Sequence, residues 1–381
     1  MLNRTRSLSI LTLMITLLFM GHAAAEAKKI PGGFQKGKPV KDKTATDLDC
    51  NACVSEDELD FDLTKKPAHV VIVAKKGGDY TSVSEALADI DPSADYPYLI
   101  KVMPGIYIDN IAMKSHVHLK GAGREVTTIQ SAAPDQSVIV LNTLTNVAIS
   151  GLTVTGGFFG ISIVASSPTI LHNALTGNQF GMTSQNNASP IIAGNIIADN
   201  TNEGIDNFNN ASPMIQGNII TGNGRGILNS VDTTPTIVGN IIRNNNGAGV
   251  RNVSSSPNLN GNLIAVNTTD GISSQGGSPT IISNTVSGNG GKGITNEIGA
   301  SVNIIGNTVT DNGEEGVFNL SSSPIMITHN RITGNGAAEA DIFVHPISTP
   351  NISFNIYDDI DGNTGVGSFN VQSDGTPAPA P

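Results

Sequence analysis

The sequence predicts an all-β fold, a single-stranded parallel β-helix of about ten 22–23-residue coils with a short N-terminal capping helix. Three observations predict it. Asn, Pro and aliphatic residues recur in phase every 22 or 23 positions through most of the chain, and fixed-period self-similarity marks a solenoid. A repeat of that length holds three strands of about 3–5 residues with their turns and leaves no room for a helix. Charged residues make up only 14% of the 381, with 42 Gly and no Trp, against about 25% charged in an average globular chain. A chain spent on Gly, Asn, Ser, Thr, Ile and Val is built of strands and turns. That composition excludes a disordered chain and a helical bundle.

The elements follow in chain order. Residues 1–25 read as an export signal: Arg4 and Arg6, the apolar run from Leu8 to Met20, then Ala23-Ala24-Ala25 before Glu26. The run falls short of the about 20 apolar residues of a membrane span, so no transmembrane segment is expected in the mature protein. A secreted or periplasmic location follows. Residues 26–66 read as a flexible leader carrying Cys50 and Cys53. In an oxidising compartment these two close a local disulfide, with a redox or metal site and free thiols as the alternatives. Residues 67–135 form the N-terminal cap and first coils. A strand is expected at 70–74, then the capping-box pattern Ser82-Val83-Ser84-Glu85 opening a helix over 83–90. Short strands follow at 99–103, 106–108, 117–119 and 127–130.

The repeats proper occupy 136–356. One Asn column runs through Asn173, Asn195, Asn218, Asn240, Asn262, Asn284, Asn307 and Asn330, and a second lies five residues later, from Asn178 to Asn335. Aliphatic columns sit three residues before and two residues after each first-column Asn, from Ile170 and Leu175 to Ile327 and Ile332. A Gly-apolar pair closes most repeats, as in Gly226-Ile227. Leucine-rich repeats would need several Leu per unit and propeller blades about twice the period. Hairpins would run antiparallel, whereas in-phase columns require equivalent residues stacked in parallel at about 4.8 Å. The aliphatic columns therefore point inward. The Asn columns are expected at bends in left-handed backbone, each amide bonding to the next. Residues 357–381 read as a C-terminal cap and an extended Pro-rich tail, with Phe343, Phe354 and Tyr357 covering the last coil.

The stretch from Val71 to Ile129 resembles the N-terminal part of pectin-lyase-like right-handed β-helix proteins. Its matching residues include Gly78-Asp79-Tyr80-Thr81-Ser82-Val83, Ile100-Lys101-Val102-Met103-Pro104-Gly105-Ile106-Tyr107 and Leu119-Lys120-Gly121-Ala122-Gly123. The following coils are similar to the parallel β-helix repeats of NosD-like exported proteins. The resemblance covers about 70–350 and implies a right-handed solenoid, while such a fold hosts many functions. A pectin methylesterase resemblance reaches Gly105-Ile106-Tyr107-Ile108-Asp109 but lacks the later Gln and Asp strand motifs. The Asp pairs of polygalacturonases and the Asp-Pro-His-Asp motif of alginate epimerases are absent too. No catalytic residue carries over.

Candidate chemistry is sparse. The residues before the repeat glycines, Glu203, Arg225, Ala248, Asp270, Lys292 and Glu315, alternate in sign and predict the ion-pair ladders Glu203–Arg225 and Asp270–Lys292–Glu315. Glycoside hydrolysis needs two carboxylates roughly 5–9.5 Å apart, which Asp199, Glu203 and Asp206 would approach within one coil. Asp358, Asp359, Asp361 and Asn363 offer oxygen ligands of the calcium type, with a plain polar turn as the alternative. His172, His329 and His345 are scattered, and no cofactor is called for. Tyr80, Tyr96, Tyr98, Tyr107 and Tyr357 all lie outside the regular coils, which argues against an aromatic sugar groove. The net charge of −11 without a basic stripe argues against nucleic acid. Two functions remain: a non-catalytic scaffold or binding surface for a polysaccharide or surface protein, or a polysaccharide-active lyase, hydrolase or epimerase.

Overall fold

Alternation with period two places one apolar residue of each three-residue strand inward. Ile192, Ile215, Ile237, Leu259 and Ile281 stack in one column and Ile197, Ile220, Ile242, Ile264 and Val286 in another, all fully buried. The computed structural model describes residues 69–320, 326–336, 340–346, 348, 350–362 and 370–377. The export signal, the leader with Cys50 and Cys53, Asn363 and the end of the Pro-rich tail lie outside the described residues.

Each coil contributes one strand to each of three parallel sheets, here called A, B and C, of 13, 13 and 12 strands among the described residues. The stack therefore reaches about twelve coils instead of ten. The extra coils lie at both ends, where His69–Val73 pairs with Tyr98–Val102 and Arg331–Thr333 with Ile356–Tyr357. The N-terminal ones lack the regular Asn and Pro markers, and at the C-terminal end Asn355 follows Asn330 by 25 residues instead of 22 or 23, so a fixed period undercounts them. Among the described residues no helix is long and apolar enough to cross a membrane.

The N-terminal end is closed as expected. The helix spans Val83–Asp89, with Ser82 and Glu85 forming a reciprocal capping box and Val83, Ala86 and Leu87 buried. Asp109 ties it to the first coil by accepting from the Ser84 N–H at 2.9 Å and its hydroxyl at 2.5 Å. Tyr107 is 1% exposed. Thus within the esterase-like stretch Asp109 serves the cap, while the hydroxyl of Tyr107 donates to the Met103 carbonyl at 2.9 Å.

The Asn columns are buried ladders. Asn218 shows the pattern: its backbone N–H and its Nδ2 both donate to Oδ1 of Asn240, at 2.9 and 3.0 Å. Nδ2 also donates to the Ile192 carbonyl of the preceding coil at 2.8 Å. The first ladder continues past Asn330 through Asn355 to Asn370, and the second ends where Asn335 donates to Asp341. One expectation is corrected here. The ladder Asn are not left-handed; the residue before each one is, as at Gly194, Gly217 and Gly239 or Asp199 and Asn244. That residue makes the bend, leaving the Asn side chain free to turn inward to its partners.

A third polar column keeps the same 22–23-residue period, with Ser in place of Asn at 184 and 274, and lies on the inner face of sheet C. Asn207 donates to Asn229, Asn229 to Asn252 and Asn252 to Ser274, and farther on Asn296 donates to Asn319. All of these are fully buried.

The C-terminal expectation holds only for Tyr357, which is 3% exposed. Phe343 stacks on Phe318 and Phe354 on His329, both outside the core. The tail does not run straight out: the Gln372 N–H donates to the Thr376 carbonyl and Val371 bridges Pro377, folding 373–377 back on Val371–Gln372, the last strand of sheet B.

Candidate functional site

The outer face of sheet C gathers most of the remaining chemistry. Strand alternation sorts its side chains into rows along the stack, neighbours in a row being one coil, about 4.8 Å, apart. The row before the repeat glycines reads Phe159, Phe180, Glu203, Arg225, Ala248, Asp270, Lys292 and Glu315. The next outward row reads Ser162, Thr183, Asp206, Leu228, Arg251, Ser273, Thr295, Phe318 and Phe343. The repeat glycine between the rows is obligatory at this density. A Cβ on Gly226 would fall 2.3 Å from the Gly249 carbonyl and 2.6 Å from Ile242.

Phenylalanine marks both ends of the charged stretch. Phe158, Phe159 and Phe180 form one cluster, with ring centroids 4.7, 5.4 and 5.0 Å apart. Phe318 and Phe343 stack at 4.9 Å and 13°. The tyrosines do lie outside the regular coils, yet the face is not short of aromatic surface. Reading only Trp and Tyr missed it, because the two clusters occupy different rows and leave no single Phe column.

Between the clusters lie the carboxylates. Arg225 donates to Glu203 at 2.5 Å, and Glu203 is 9% exposed. Asp206 is half-buried, and its carboxyl is pushed up to about 6. Burial is the main cause; the charge of Glu203 adds to it and that of Arg225 opposes it. Beside it Thr183 is fully buried on the outer face, and its hydroxyl has no hydrogen-bond partner among the described residues. The structure thus brings Glu203, Asp206 and Arg225 together. It leaves Asp199 apart, exposed on a left-handed bend at φ 55°.

The second ladder forms differently from the expectation. Lys292 pairs with Glu315 at 3.3 Å, also with Glu314, and lies 4.8 Å from the Phe318 ring centroid. Burial pulls its ammonium down, but the two glutamates outweigh that and hold it above the usual lysine value. Asp270 is not its ion-pair partner: the Asp270 carboxylate accepts from the Lys292 backbone N–H at 3.0 Å and from the Thr295 hydroxyl at 2.8 Å. Burial raises the Asp270 carboxyl against those two bonds. Arg251, in mid-face, donates to the neutral Gln275 side chain at 3.2 Å.

Other candidate positions are occupied locally. Asp359 accepts from the Ile360 N–H at 2.8 Å, Asp358 from the Gly334 N–H at 2.9 Å, and Asp361 lies opposite Phe343 in sheet C. His172 and His329 occupy left-handed bends, and His345 sits many coils away from His172. Among the described residues no group of three His, Cys, Asp or Glu side chains is placed to hold a metal ion. A shallow pocket of about 600 Å³ beside the capping helix is lined by Asp79, Tyr80, Thr81, Glu85, Ala88 and Asp89. Its acids are engaged in the cap: Asp79 accepts from Ile72, Glu85 from Thr81 and Asp89 from Tyr80.

Comparison with solved structures finds the same architecture at low identity. The A-module of mannuronan C-5 epimerase AlgE4 from Azotobacter vinelandii is 15% identical with TM-score 0.53, over 76% of this chain and 93% of that chain. The AlgE6 A-module from the same organism is 15% identical with TM-score 0.54, over 78% and 94%. The Agl-KA catalytic domain is 14% identical with TM-score 0.59, over 81% and 68%. No curated protein matches the chain significantly in sequence. The family model described as "Right handed beta helix region" matches residues 115–264 and 252–373. With its three parallel sheets and its Asn ladders, the chain belongs to that family, as a right-handed parallel β-helix of the pectin-lyase-like fold.

Proposed function

We propose that the protein is exported and binds a polysaccharide along the outer face of sheet C. The observation that carries this reading is the face itself: a rigid strip of half-buried charges and hydroxyls bounded at both ends by phenylalanine clusters. Aromatic rings supply apolar platforms for sugar faces, and fixed polar groups between them supply orientation. The likeness to modules named for mannuronan agrees with a polysaccharide partner and adds nothing on which one. The export signal expected at 1–25 supports the location.

One observation favours a second reading, in which the same face modifies the glycan. A carboxyl near pKa 6 beside a second carboxylate and an arginine is suited to proton transfer near neutral pH, with Asp206 as the acid or base. Purified protein screened against neutral and acidic polysaccharides separates the two. Retention without new reducing ends or unsaturated products supports binding alone. Turnover abolished by Asp206→Asn with retention kept would establish the second reading. Loss of neither on substituting Phe180 and Asp206 together removes the face from both.

A further inference from the structure

The chain contains six Asn-Gly pairs, at Asn223, Asn246, Asn260, Asn289, Asn312 and Asn335, and the structure treats one of them differently. In such a pair the backbone nitrogen of the glycine can attack the Asn side-chain carbonyl carbon. A C–N bond forms, the amide leaves as ammonia and a five-membered succinimide remains. Water then opens the ring to aspartate or isoaspartate, adding one carboxylate. The attack needs a free glycine N–H and a side chain free to rotate.

Four of the pairs belong to the second ladder and meet neither condition. Asn223 and Asn289 are at most 1% exposed, and each gives Nδ2 to the next ladder residue and to a carbonyl of the preceding coil. Asn312 and Asn335 are bound in the same way. Their glycines are engaged as well: Gly224 donates to Asn200, Gly290 to Asn267, Gly313 to Asn289 and Gly336 to Asn312, at 3.1, 2.8, 2.8 and 2.9 Å. At the fifth pair Asn260 is exposed, but Gly261 donates to the Ile282 carbonyl at 3.1 Å.

Asn246-Gly247 is the exception. Asn246 is exposed and its side chain makes no hydrogen bond among the described residues, and the Gly247 N–H has no acceptor there either. The geometry points to Asn246 as the site of spontaneous deamidation in the folded protein. The place is not neutral. A Cβ on Gly247 would lie 3.1 Å from Cγ of Arg225, so the new carboxylate arises one residue from the stem of the arginine that pairs with Glu203. Any effect on the glycan face rests on the proposed function; the modification itself does not.

Folded protein is incubated at mildly alkaline pH, and peptides covering the six pairs are followed by mass and by isoaspartate-sensitive digestion. A denatured sample serves as reference. Conversion at Asn246 is expected to exceed that at each of the other five by more than about tenfold, since attack there requires no hydrogen bond to open. The Asn246→Gln variant is expected to abolish the main product. Equal conversion at Asn260 or at any ladder Asn, or an intact Asn246 while the denatured reference converts, would overturn the assignment. Glycan retention of Asn246→Asp, measured separately, reports only on the consequence at the face.

Discussion

Asp206 combines two statements about one carboxyl, a chemical one and a thermodynamic one. Its folded pKa of about 6 lies above the 3.8 of an unperturbed Asp. The folded chain therefore holds a proton between about pH 4 and 6 that the unfolded chain has released, and stability falls as pH rises through that window. Above it the loss is complete, at about 1–3 kcal/mol for a half-buried group. Asp206→Asn should remove that component, so thermal melts at pH 4 and pH 7 should differ less for the variant than for the parent. A larger difference for the variant would reverse the assigned sign. A ladder residue behaves otherwise. Asn240 is 1% exposed with every side-chain polar atom engaged. Asn240→Ala should cost about 2–4 kcal/mol, read by denaturant unfolding, because it strands the buried donors of Asn218. Glu203 and Asp206 were legible in sequence as carboxylates within one coil, grouped there with Asp199. The raised carboxyl was not, since it depends on burial by adjacent coils. The third Asn column shares the period of the other two, but Ser184 and Ser274 stand in it in place of Asn and break its uniformity.

The unit of construction is the bend as much as the strand. Pairing registers were readable because apolar positions repeat, and the capping helix because Ser82 and Glu85 stand three apart. The left-handed position was misassigned by one residue, since Asn is common both at bends and in ladders. Val266 exposes the physical rule. It occupies the bend position held in other coils by Gly222, Asn244 or Gly288, at φ 55°, with its side chain 59% exposed. A β-branched residue is costly in that conformation. Val266→Gly should therefore stabilise by up to about 1 kcal/mol, seen as a higher melting temperature. A lower melting temperature would mean that the Val266 side chain contributes more by packing than its backbone costs. At the cap, Ser82→Ala should lose about 1 kcal/mol by removing the Glu85 N–H acceptor, measured in the same melts.

Over the whole molecule the stack behaves as a one-dimensional array in which each coil meets only its neighbours. Removing residues 250–271 joins Gly249 to Ile272 and deletes one full coil, leaving both Asn ladders and all three sheets in register. That variant should keep its β-sheet circular dichroism and melt only slightly lower. Removing 250–260, half a coil, should prevent cooperative folding, because every later inward residue turns to the wrong sheet. The architecture was legible at this scale because a period is redundant, and each coil states it again. Of the proposed binding face only the charged row before the repeat glycines was legible, because the other residues vary from coil to coil on a constant scaffold. Its test is direct. Retention of the parent on immobilised polysaccharides is compared with that of Phe180→Ala combined with Phe318→Ala, and with a sheet B control, Thr221→Ala. At least one polysaccharide should retain the parent and the control while the double variant, folded by circular dichroism, elutes early. Equal retention of all three, or retention of none on any polysaccharide tested, would contradict a glycan-binding face on sheet C.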